Sequence, residues 1–299
     1  MTLEDVQNRR DTRKLALDQA GVSDIRHPIV VLDRERQKQA TVATIAMSVN
    51  LPHEFKGTHM SRFIEVLSAH RGEITLRTLP AILDELKQRL HAKAARMEVS
   101  FPYFLERRAP VTGATALMDY QCAFVGESNG SSADFRLQVT VPVTSLCPCS
   151  KAISDYGAHN QRGLITIDVR TNRTPEGLPA IIWIEELVDL AEQAASAPVY
   201  PLLKRADERF VTMQAYDNPV FVEDMVRTVA LGLQTDSRVA WFRIHAANQE
   251  SIHNHSAFAR IEWPSTESAE IAPPHLRLSN EGGDIGLPEI SIAEANSGG

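Results

Sequence analysis

Segments in which every second residue is apolar recur along the chain, and their order relative to the helical segments constrains the fold more than any other feature. The clearest runs from Phe135 to Val143, where apolar residues occupy the odd positions. This period of two is typical of a strand with one buried face. Further strands are predicted at 27–32, 43–51, 96–104, 115–125, 165–169, 238–248 and 256–263.

Helical spacing separates these strands twice. Met60, Phe63 and Leu67 predict one helix, and Pro80 stands in the first turn of a second. In the second half, helices are predicted at 182–195 and from Asn218-Pro219 onward. The order β-β-α-α-β-β therefore occurs twice, over 24–128 and 129–263, and predicts an antiparallel α+β fold with its helices on one sheet face.

The two ends of the chain are polar. We expect residues 1–23 to form a flexible arm and the acidic tail, 264–299, to be disordered. The tail carries −5 of the net charge of −7, which leaves −2 for the remainder. No basic face is expected, and this argues against nucleic acid as a partner.

Neither a signal peptide nor an apolar run of about 18 residues is visible, so we expect no membrane partner. The chain has three cysteines, and a disulfide framework is not expected from so few. The predicted location is cytoplasmic, with reduced thiols.

The stretch SLCPCSKAISDYGAHNQR contains Cys147, Cys149 and His159. If the strand continued past Pro142, both thiols would lie on its apolar face and could simply be small core residues. The polar neighbours, such as Lys151, argue against a core. A thiolate, an imidazole and a carboxylate could instead provide three metal ligands and leave one position open for water, as a catalytic metal requires. The third cysteine, Cys122, is predicted to be a core residue.

Other candidates lie downstream. His253 and His255 are separated by one residue, so on a strand they would point the same way, with Glu250 nearby. Each alone could be a hydrogen-bonded histidine, whereas together they suggest proton transfer or metal binding. Glu208 lies in a charged cluster and Glu223 near the start of a predicted helix. Either could be an ordinary surface acid, although a buried glutamate could accept two N–H groups of a guanine edge.

The chain has neither a P-loop nor a G-x-G-x-x-G motif, so phosphate binding would depend on basic side chains. Each of these could equally be a surface charge. The candidates are Lys56, Arg62, Lys151, Arg162, Lys204 and Arg205.

Four stretches together resemble the prokaryotic GTP cyclohydrolase IB family: KGTHMSRF, PVTSLCPCSKAISDYGAHNQRG, LKRADERFVTMQAYDNPVFVEDMVR and ESIHNHSAFA. The resemblance extends from about Asp24 to Trp263. It implies the tunnelling fold (T-fold), with two tandem β-β-α-α-β-β units per chain, and a homotetramer with active sites at subunit interfaces. Asp217 departs from the family pattern, in which a glutamate is expected, and the tail has no counterpart.

The resemblance also implies an activity. It is the metal-dependent hydrolysis of GTP to 7,8-dihydroneopterin triphosphate and formate, the first step of tetrahydrofolate biosynthesis, with one Mn²⁺, Fe²⁺ or Zn²⁺ per site. Three residues are implied at the metal: Cys147, His159 and Glu208. Glu223 would bind guanine, and Lys151 and Arg62 are further substrate-binding candidates. The implied catalytic groups are Cys147, Cys149, Glu250, His253 and His255, with Cys149 beside the metal or an alternative ligand.

Two other functions remain open from the sequence. One is a T-fold nitrile reductase, in which a cysteine forms a thioimide and NADPH supplies hydride. The other is a non-enzymatic metal or thiol sensor that uses the C-x-C pair.

Overall fold

The sheet is built from strands that pair with their neighbours in sequence. The computed structural model describes residues 7, 10–34, 37–70, 74–130, 132–175 and 178–264. Its strands are β1 (Leu17–Asp33), β2 (Gln37–Leu51), β3 (Ala94–Arg108), β4 (Thr115–Asn129), β5 (Ser132–Leu146), β6 (Asn160–Thr171), β7 (Ala197–Pro198), β8 (Val239–Gln249) and β9 (Ser256–Trp263). They form one antiparallel sheet in the order β1-β2-β3-β4-β5-β6-β8-β9, and β7 pairs with β5.

Helices cover one face of this sheet. They are α1 (Met60–Ala69), α2 (Leu79–Leu90), α3 (Pro148–Ile153), α4 (Ile184–Gln193), α5 (Arg205–Asp217) and α6 (Val222–Thr235). Buried residues of α1, α2, α4 and α6 join those of the strands in a single hydrophobic cluster. In α2, Leu79, Ile82, Leu83 and Leu86 are buried at the spacing of one helix face. The predicted α+β class is therefore confirmed. None of the described helices is long and apolar enough to cross a membrane.

Strand β1 begins earlier than predicted. It starts at Leu17, inside the 1–23 range assigned to a flexible arm, so that part of the prediction is wrong. Its first residues are mostly exposed and show no apolar alternation, so the sequence pattern did not reveal them. They belong to the strand because their backbone pairs with β2. Gly21 pairs with Ser48, and a Cβ at Gly21 would lie 1.9 Å from the carbonyl oxygen of Met47. The tail predicted beyond Pro264 lies outside the described residues.

The boundary between α5 and α6 also differs from the prediction. Asn218 caps the C-terminal end of α5, which the sequence analysis did not predict, and its amide donates to the carbonyl oxygen of Ala195 at 2.9 Å. Pro219 lies in the following loop, where a proline commonly stops a helix. Helix α6 begins at Val222, after an extended residue, Phe221.

Buried polar contacts join α4 to strands from the first half of the chain. The Glu192 carboxylate, which is 6% exposed, accepts from the Arg107 guanidinium on β3 and from the Tyr120 hydroxyl on β4 at 3.0 Å. Burial raises the pKa of the Tyr120 hydroxyl to about 12. At the other end of α4, Glu185 accepts from the Tyr103 hydroxyl at 2.7 Å. These bonds fix the position of α4 on the sheet.

We expect Arg107→Met to lower the free energy of unfolding by about 3 kcal/mol, because it leaves the buried Glu192 carboxylate without its cation. Urea titration followed by circular dichroism measures this loss. Arg227→Met is the control, since Arg227 and its partner Asp224 are both exposed and such a pair contributes less than about 1 kcal/mol. Equal losses in the two variants would contradict the role given to Arg107.

Candidate active site

The register between β5 and β6 places a thiol beside an imidazole. Leu146 pairs with Asn160, so the chain leaves and re-enters the sheet at neighbouring positions. The N–H of Cys147 donates to the carbonyl oxygen of His159 at 3.0 Å, and this bond closes the loop between them. Cys147 is the N-cap of α3, and its Sγ accepts from the N–H of Ser150 at 3.4 Å. Cys147 thus follows directly after Leu146, the last residue of β5.

The two cysteines do not share a strand face, as had been expected if β5 continued. The strand ends at Leu146, and Pro148 begins α3, so Cys149 lies on a short helix and is exposed. Cys147 is partly buried. Cys122 is buried in β4 as predicted, and desolvation raises the pKa of its thiol, which suits an unreactive core residue.

A short hydrogen-bonded relay holds His159. Its Nδ1 lies 2.7 Å from Oε1 of Gln161, which is the second residue of β6 and stands two positions after His159. Nε2 of Gln161 in turn donates to Oε1 of Glu250 at 3.5 Å. Glu250 is the residue directly after β8. The second carboxylate oxygen of Glu250 is 3.7 Å from Nδ1 of His159. Glu250 and His159 side chains are each 11% exposed.

The other two histidines lie in the loop between β8 and β9, and not on a strand as the sequence suggested. They nevertheless face the same way, because the rings of His253 and His255 stack with centroids 5.1 Å apart. The His253 ring meets the His159 ring edge to face at 6.4 Å. Both loop histidines are exposed, so each can exchange protons with a bound molecule or with solvent.

Beneath these groups a buried network joins β5, β8 and the start of α6. The Asn248 amide donates to Ser145 Oγ at 2.9 Å, and Ser145 Oγ donates to the carbonyl oxygen of Val220 at 3.0 Å. Asn248 lies over Gly163 on β6, where a Cβ would be only 2.4 Å from Asn248 Oδ1. Gly163 therefore leaves the space that this amide needs. The network fixes the segment that leads into α6.

An open cleft of about 260 Å³ lies where these elements meet. It is lined by Ser145, Cys147, His159, Gln161, Val220, Phe221, Val222, Glu223, Asn248, Glu250, His253, His255 and Ala257. The structure thus brings six of the predicted site residues into one cleft, although they are separated by up to 108 positions in the chain. Of these, Glu223 is exposed in the first turn of α6.

The remaining predicted residues do not line the cleft. Glu208 is exposed in the first turn of α5. The Lys151 ammonium contacts the carbonyl oxygen of Tyr216 and lies 4.2 Å from the centre of that ring. Arg62, on α1, donates to the carbonyl oxygen of Arg89 at 2.9 Å. The roles given to these three residues and to Cys149 stay predictions.

Asp207 anchors the end of α5 that carries Glu208. The side chain is buried, and its oxygens accept from the N–H groups of Val111 and Thr112 at 2.8 Å, from the Thr112 hydroxyl at 2.6 Å and from the Lys204 N–H at 2.9 Å. Desolvation by itself would raise the pKa of Asp207, but these hydrogen bonds hold it well below the usual range. The first turn of α5 is thereby fixed to the turn between β3 and β4.

The cleft contains donor groups that suit a divalent metal. A cysteine thiol and a histidine imidazole are ligands for zinc, iron and other borderline cations. Cys147 and His159 are adjacent through a backbone hydrogen bond, and among the described residues the hydrogen bond to the His159 ring is made at Nδ1. Within the described ranges, no three histidine, cysteine or acidic side chains are close enough together to hold a metal ion. The donor chemistry therefore fits a metal at Cys147 and His159, and any third protein ligand stays a prediction.

Gln161, Ser145 and Asn248 are cleft residues that the sequence analysis missed. A signal for Gln161 was available, because it stands two residues after His159 and period two places both on one strand face. Ser145 pairs with Gln161 across β5 and β6. Asn248 gave no comparable signal, since its importance depends on the long-range pairing of β8 with β6.

Comparison with known proteins gives one consistent result. A family model described as type I GTP cyclohydrolase folE2 matches residues 3–259. Among similar proteins, GTP cyclohydrolase FolE2 of Syntrophotalea carbinolica is 53% identical over 272 residues, covering 91% of this chain and 99% of that protein. GTP cyclohydrolase FolE2 of Geobacter sulfurreducens is 54% identical over 260 residues, covering 87% of this chain and 98% of that protein.

Solved structures with a similar fold include a highly active mutant of Bacillus sp. TB-90 urate oxidase. It covers 82% of this chain and 98% of its own, with a TM-score of 0.50 and 8% identity. A hyper-thermostable uricase mutant gives a TM-score of 0.50 at 11% identity, with 85% of this chain and 94% of its own covered. At such low identity the similarity concerns the fold alone.

Asp207→Asn should destabilise the protein, because the new amide group offers donors where the native carboxylate accepts hydrogen bonds. Since folding lowers the pKa of Asp207, its contribution is complete above the unfolded value of about 3.9 and declines as the pH falls toward the folded value. The difference in unfolding free energy between parent and variant should therefore be constant from about pH 5 to 7 and shrink below about pH 4.

Urea titrations over this pH range measure the difference. Asp224→Asn provides the matched control, because Asp224 is an exposed acid in the first turn of α6 whose side chain contacts Arg227 at 2.9 Å. A difference for Asp207→Asn that grew on acidification would show that the carboxylate is not the stabilising form.

Proposed function

The chain belongs to the type I GTP cyclohydrolase folE2 family, and we propose that the cleft between β5, β8 and α6 is where it hydrolyses GTP to 7,8-dihydroneopterin triphosphate and formate. This reaction is the first step of tetrahydrofolate biosynthesis. The observation that carries the proposal is the composition of one cleft. A thiol–imidazole pair, two further histidines and the Glu223 carboxylate all line it.

Glu223 is the residue that we assign to the guanine base. Guanine presents N1–H and the 2-amino group side by side, and a carboxylate can accept from both at once. The position of Glu223 is well fixed, because Ser145 and Asn248 hold the Val220 carbonyl two residues before α6 begins. The base would thus lie at one side of the cleft, with its imidazole ring directed toward the histidines.

The chemistry begins with addition of water at C8 of the bound guanine. Cys147 and His159 would hold a divalent metal ion, which would supply the Lewis acidity that makes water nucleophilic at neutral pH. His253 or His255 donates a proton to the imidazole nitrogen as the C8–N bond breaks, and a second addition of water releases formate. Glu223 keeps the base in place through both additions, and the rearranged ribose then condenses with the freed amine, which closes the pterin ring and releases one water.

Several finer features belong to the same proposal. We assign the family's IB type, two tandem T-fold units, a cytoplasmic homotetramer and one Mn²⁺, Fe²⁺ or Zn²⁺ per site. Glu208 is proposed as a further metal ligand and Cys149 as a neighbouring or alternative one. Lys151 and Arg62 are proposed to bind the triphosphate, and since Arg62 lies on α1 of the first half, we assign it to a site completed by a second copy of the chain.

Product formation tests the proposal. Protein stripped of metal under reductant and then restored with Mn(II), Fe(II) or Zn(II) should convert GTP into formate and a pterin that fluoresces after oxidation. Cys147→Ala should lose this activity, whereas Cys122→Ala, which changes a buried cysteine of β4, should retain it. Folded parent protein that binds these metals and yet releases no formate would overturn the cyclohydrolase assignment.

The same protein can also be assayed for the two other functions that the sequence left open. A nitrile reductase would consume NADPH in the presence of a nitrile substrate. A sensor would bind metal without any turnover. Cyclohydrolase activity predicts formate from GTP and no change in NADPH absorbance.

Glu223→Gln should lower kcat/KM for GTP by about 100-fold, because one carboxylate acceptor is replaced by a donor that faces the guanine N–H groups. Parent enzyme should also prefer GTP to ITP, which lacks the 2-amino group, by about 10-fold. In the variant this preference should nearly vanish, since the amide cannot accept from both positions.

Initial rates of formate release from each nucleotide measure these ratios. Asp224→Asn is the matched control, since it changes the next residue of α6, whose carboxylate is paired with Arg227. Full activity of Glu223→Gln, or an unchanged preference for GTP, would remove Glu223 from the base-binding site.

A further inference from the structure

We propose that Gln161 is a positioning residue, which fixes the ring of His159 so that Nδ1 carries the proton and Nε2 presents its lone pair as the metal ligand. This inference rests on the proposed function, because it concerns how one of the assigned metal ligands is held. Gln161 is buried, with 8% of its surface exposed. Its side-chain amide lies between the His159 ring and the Glu250 carboxylate and is hydrogen-bonded to both.

The carboxylate sets the direction of the relay. An ionised glutamate has only acceptor oxygens, so the side of the Gln161 amide that faces Glu250 must be the NH₂ group. Nε2 of Gln161 accordingly lies 3.5 Å from Oε1 of Glu250. The opposite orientation would place the amide oxygen against a carboxylate oxygen and lose the hydrogen bond to Glu250. The amide oxygen must therefore face His159.

That orientation determines the tautomer of the imidazole. The Gln161 oxygen, 2.7 Å from Nδ1, is an acceptor and requires a hydrogen on that nitrogen. A second acceptor, Oε2 of Glu250, lies 3.7 Å from the same nitrogen and favours the same proton position. In a neutral imidazole the other nitrogen then has a free lone pair. His159 is thus prepared to bind a cation through Nε2 before any cation arrives.

The backbone explains why Gln161 can do this. His159 immediately precedes β6 and Gln161 is the second residue of that strand, so the two side chains are two positions apart along the chain where it enters the sheet. Pairing of Ser145 with Gln161 and of Leu146 with Asn160 holds this segment against β5. Both ring and amide are therefore attached to paired backbone, and metal binding need not order either one. Loss of a partner that orients a ligating histidine typically lowers metal affinity about 10- to 100-fold.

Two substitutions separate positioning from a merely structural role. Gln161→Leu removes the acceptor while keeping most of the side-chain volume, and we expect Zn(II) affinity, measured by competition with a chromophoric chelator, to fall about 10- to 100-fold. Gln161→Glu retains an acceptor for Nδ1–H but gives up the hydrogen bond to Glu250, so its Zn(II) affinity should fall clearly less than that of Gln161→Leu. Gln138→Leu is the matched control, because Gln138 also donates to a carboxylate, that of Asp168 at 3.0 Å, but does not line the cleft.

The tautomer itself can be observed in metal-free protein. ¹⁵N-labelled histidine, recorded well above the usual histidine pKa of about 6.5, should show the Nδ1–H form for His159, with His159→Gln used to assign the signal. In Gln161→Leu the Nε2–H form should increase. An Nε2–H form in the parent would overturn the proposal. Unchanged Zn(II) affinity in Gln161→Leu, or equally weak binding by folded Gln161→Glu, would do the same.

These measurements do not depend on turnover. If the affinity and tautomer results are as expected while the parent releases no formate from GTP, the cyclohydrolase proposal fails and the positioning role stands. If the parent is active and the Gln161→Leu variant binds Zn(II) as tightly as the parent, only the positioning role fails.

Discussion

The antiparallel pairing of β5 with β6 is the constraint on which the site depends. Two strands in register bring Leu146 opposite Asn160, and the hydrogen bond from the Cys147 N–H to the His159 carbonyl continues that pairing by one residue. A thiol and an imidazole that are twelve residues apart in sequence thereby become neighbours. Because β5 and β6 are interior strands with buried residues on the helix side, their register cannot slip by one residue without exposing that apolar face. The stability of the core and the relative position of Cys147 and His159, the proposed metal ligands, thus have one common cause.

Two buried polar groups then position the helices that carry the exposed acids. Asp207 fixes the first turn of α5 to the turn between β3 and β4, and Ser145 fixes the loop before α6 to the end of β5. Neither contact could be provided by apolar packing, because helix N-termini present unpaired N–H groups and loops present unpaired carbonyls. Each buried side chain satisfies such groups and also determines where Glu208 and Glu223 stand. The buried polar side chains near the cleft therefore help to determine where the exposed acids of the site lie.

The sequence predicted the sheet better than the loops around it, for a physical reason. Period two reveals strands such as β5, whose alternate residues are buried, but it does not reveal the start of β1, where exposed residues are held by backbone pairing alone. Helix α5 was missed because its buried residues, Asp207 and Ala215, make no apolar stripe. The cleft residues Cys147, His159 and Glu223 were found from their chemistry and from family motifs. Gln161 could have been found from its spacing of two residues from His159, whereas Asn248 became recognisable only when long-range pairing had placed it beside those groups.

The cleft combines rigid and exposed groups in a way that suits its proposed chemistry. Gln161, Ser145 and Asn248 are each less than 10% exposed and hydrogen-bonded, so they hold His159, the proposed ligand, and the entry to α6 in one arrangement. Glu223, His253 and His255 are exposed, and the roles proposed for them require contact with a nucleotide. Side chains that bind a cation have higher affinity when they are already ordered before the cation binds, whereas side chains that transfer protons must reach both substrate and solvent. The division between buried and exposed residues therefore agrees with the proposed roles, in which His159 is held in place and the exposed acids and bases meet the nucleotide.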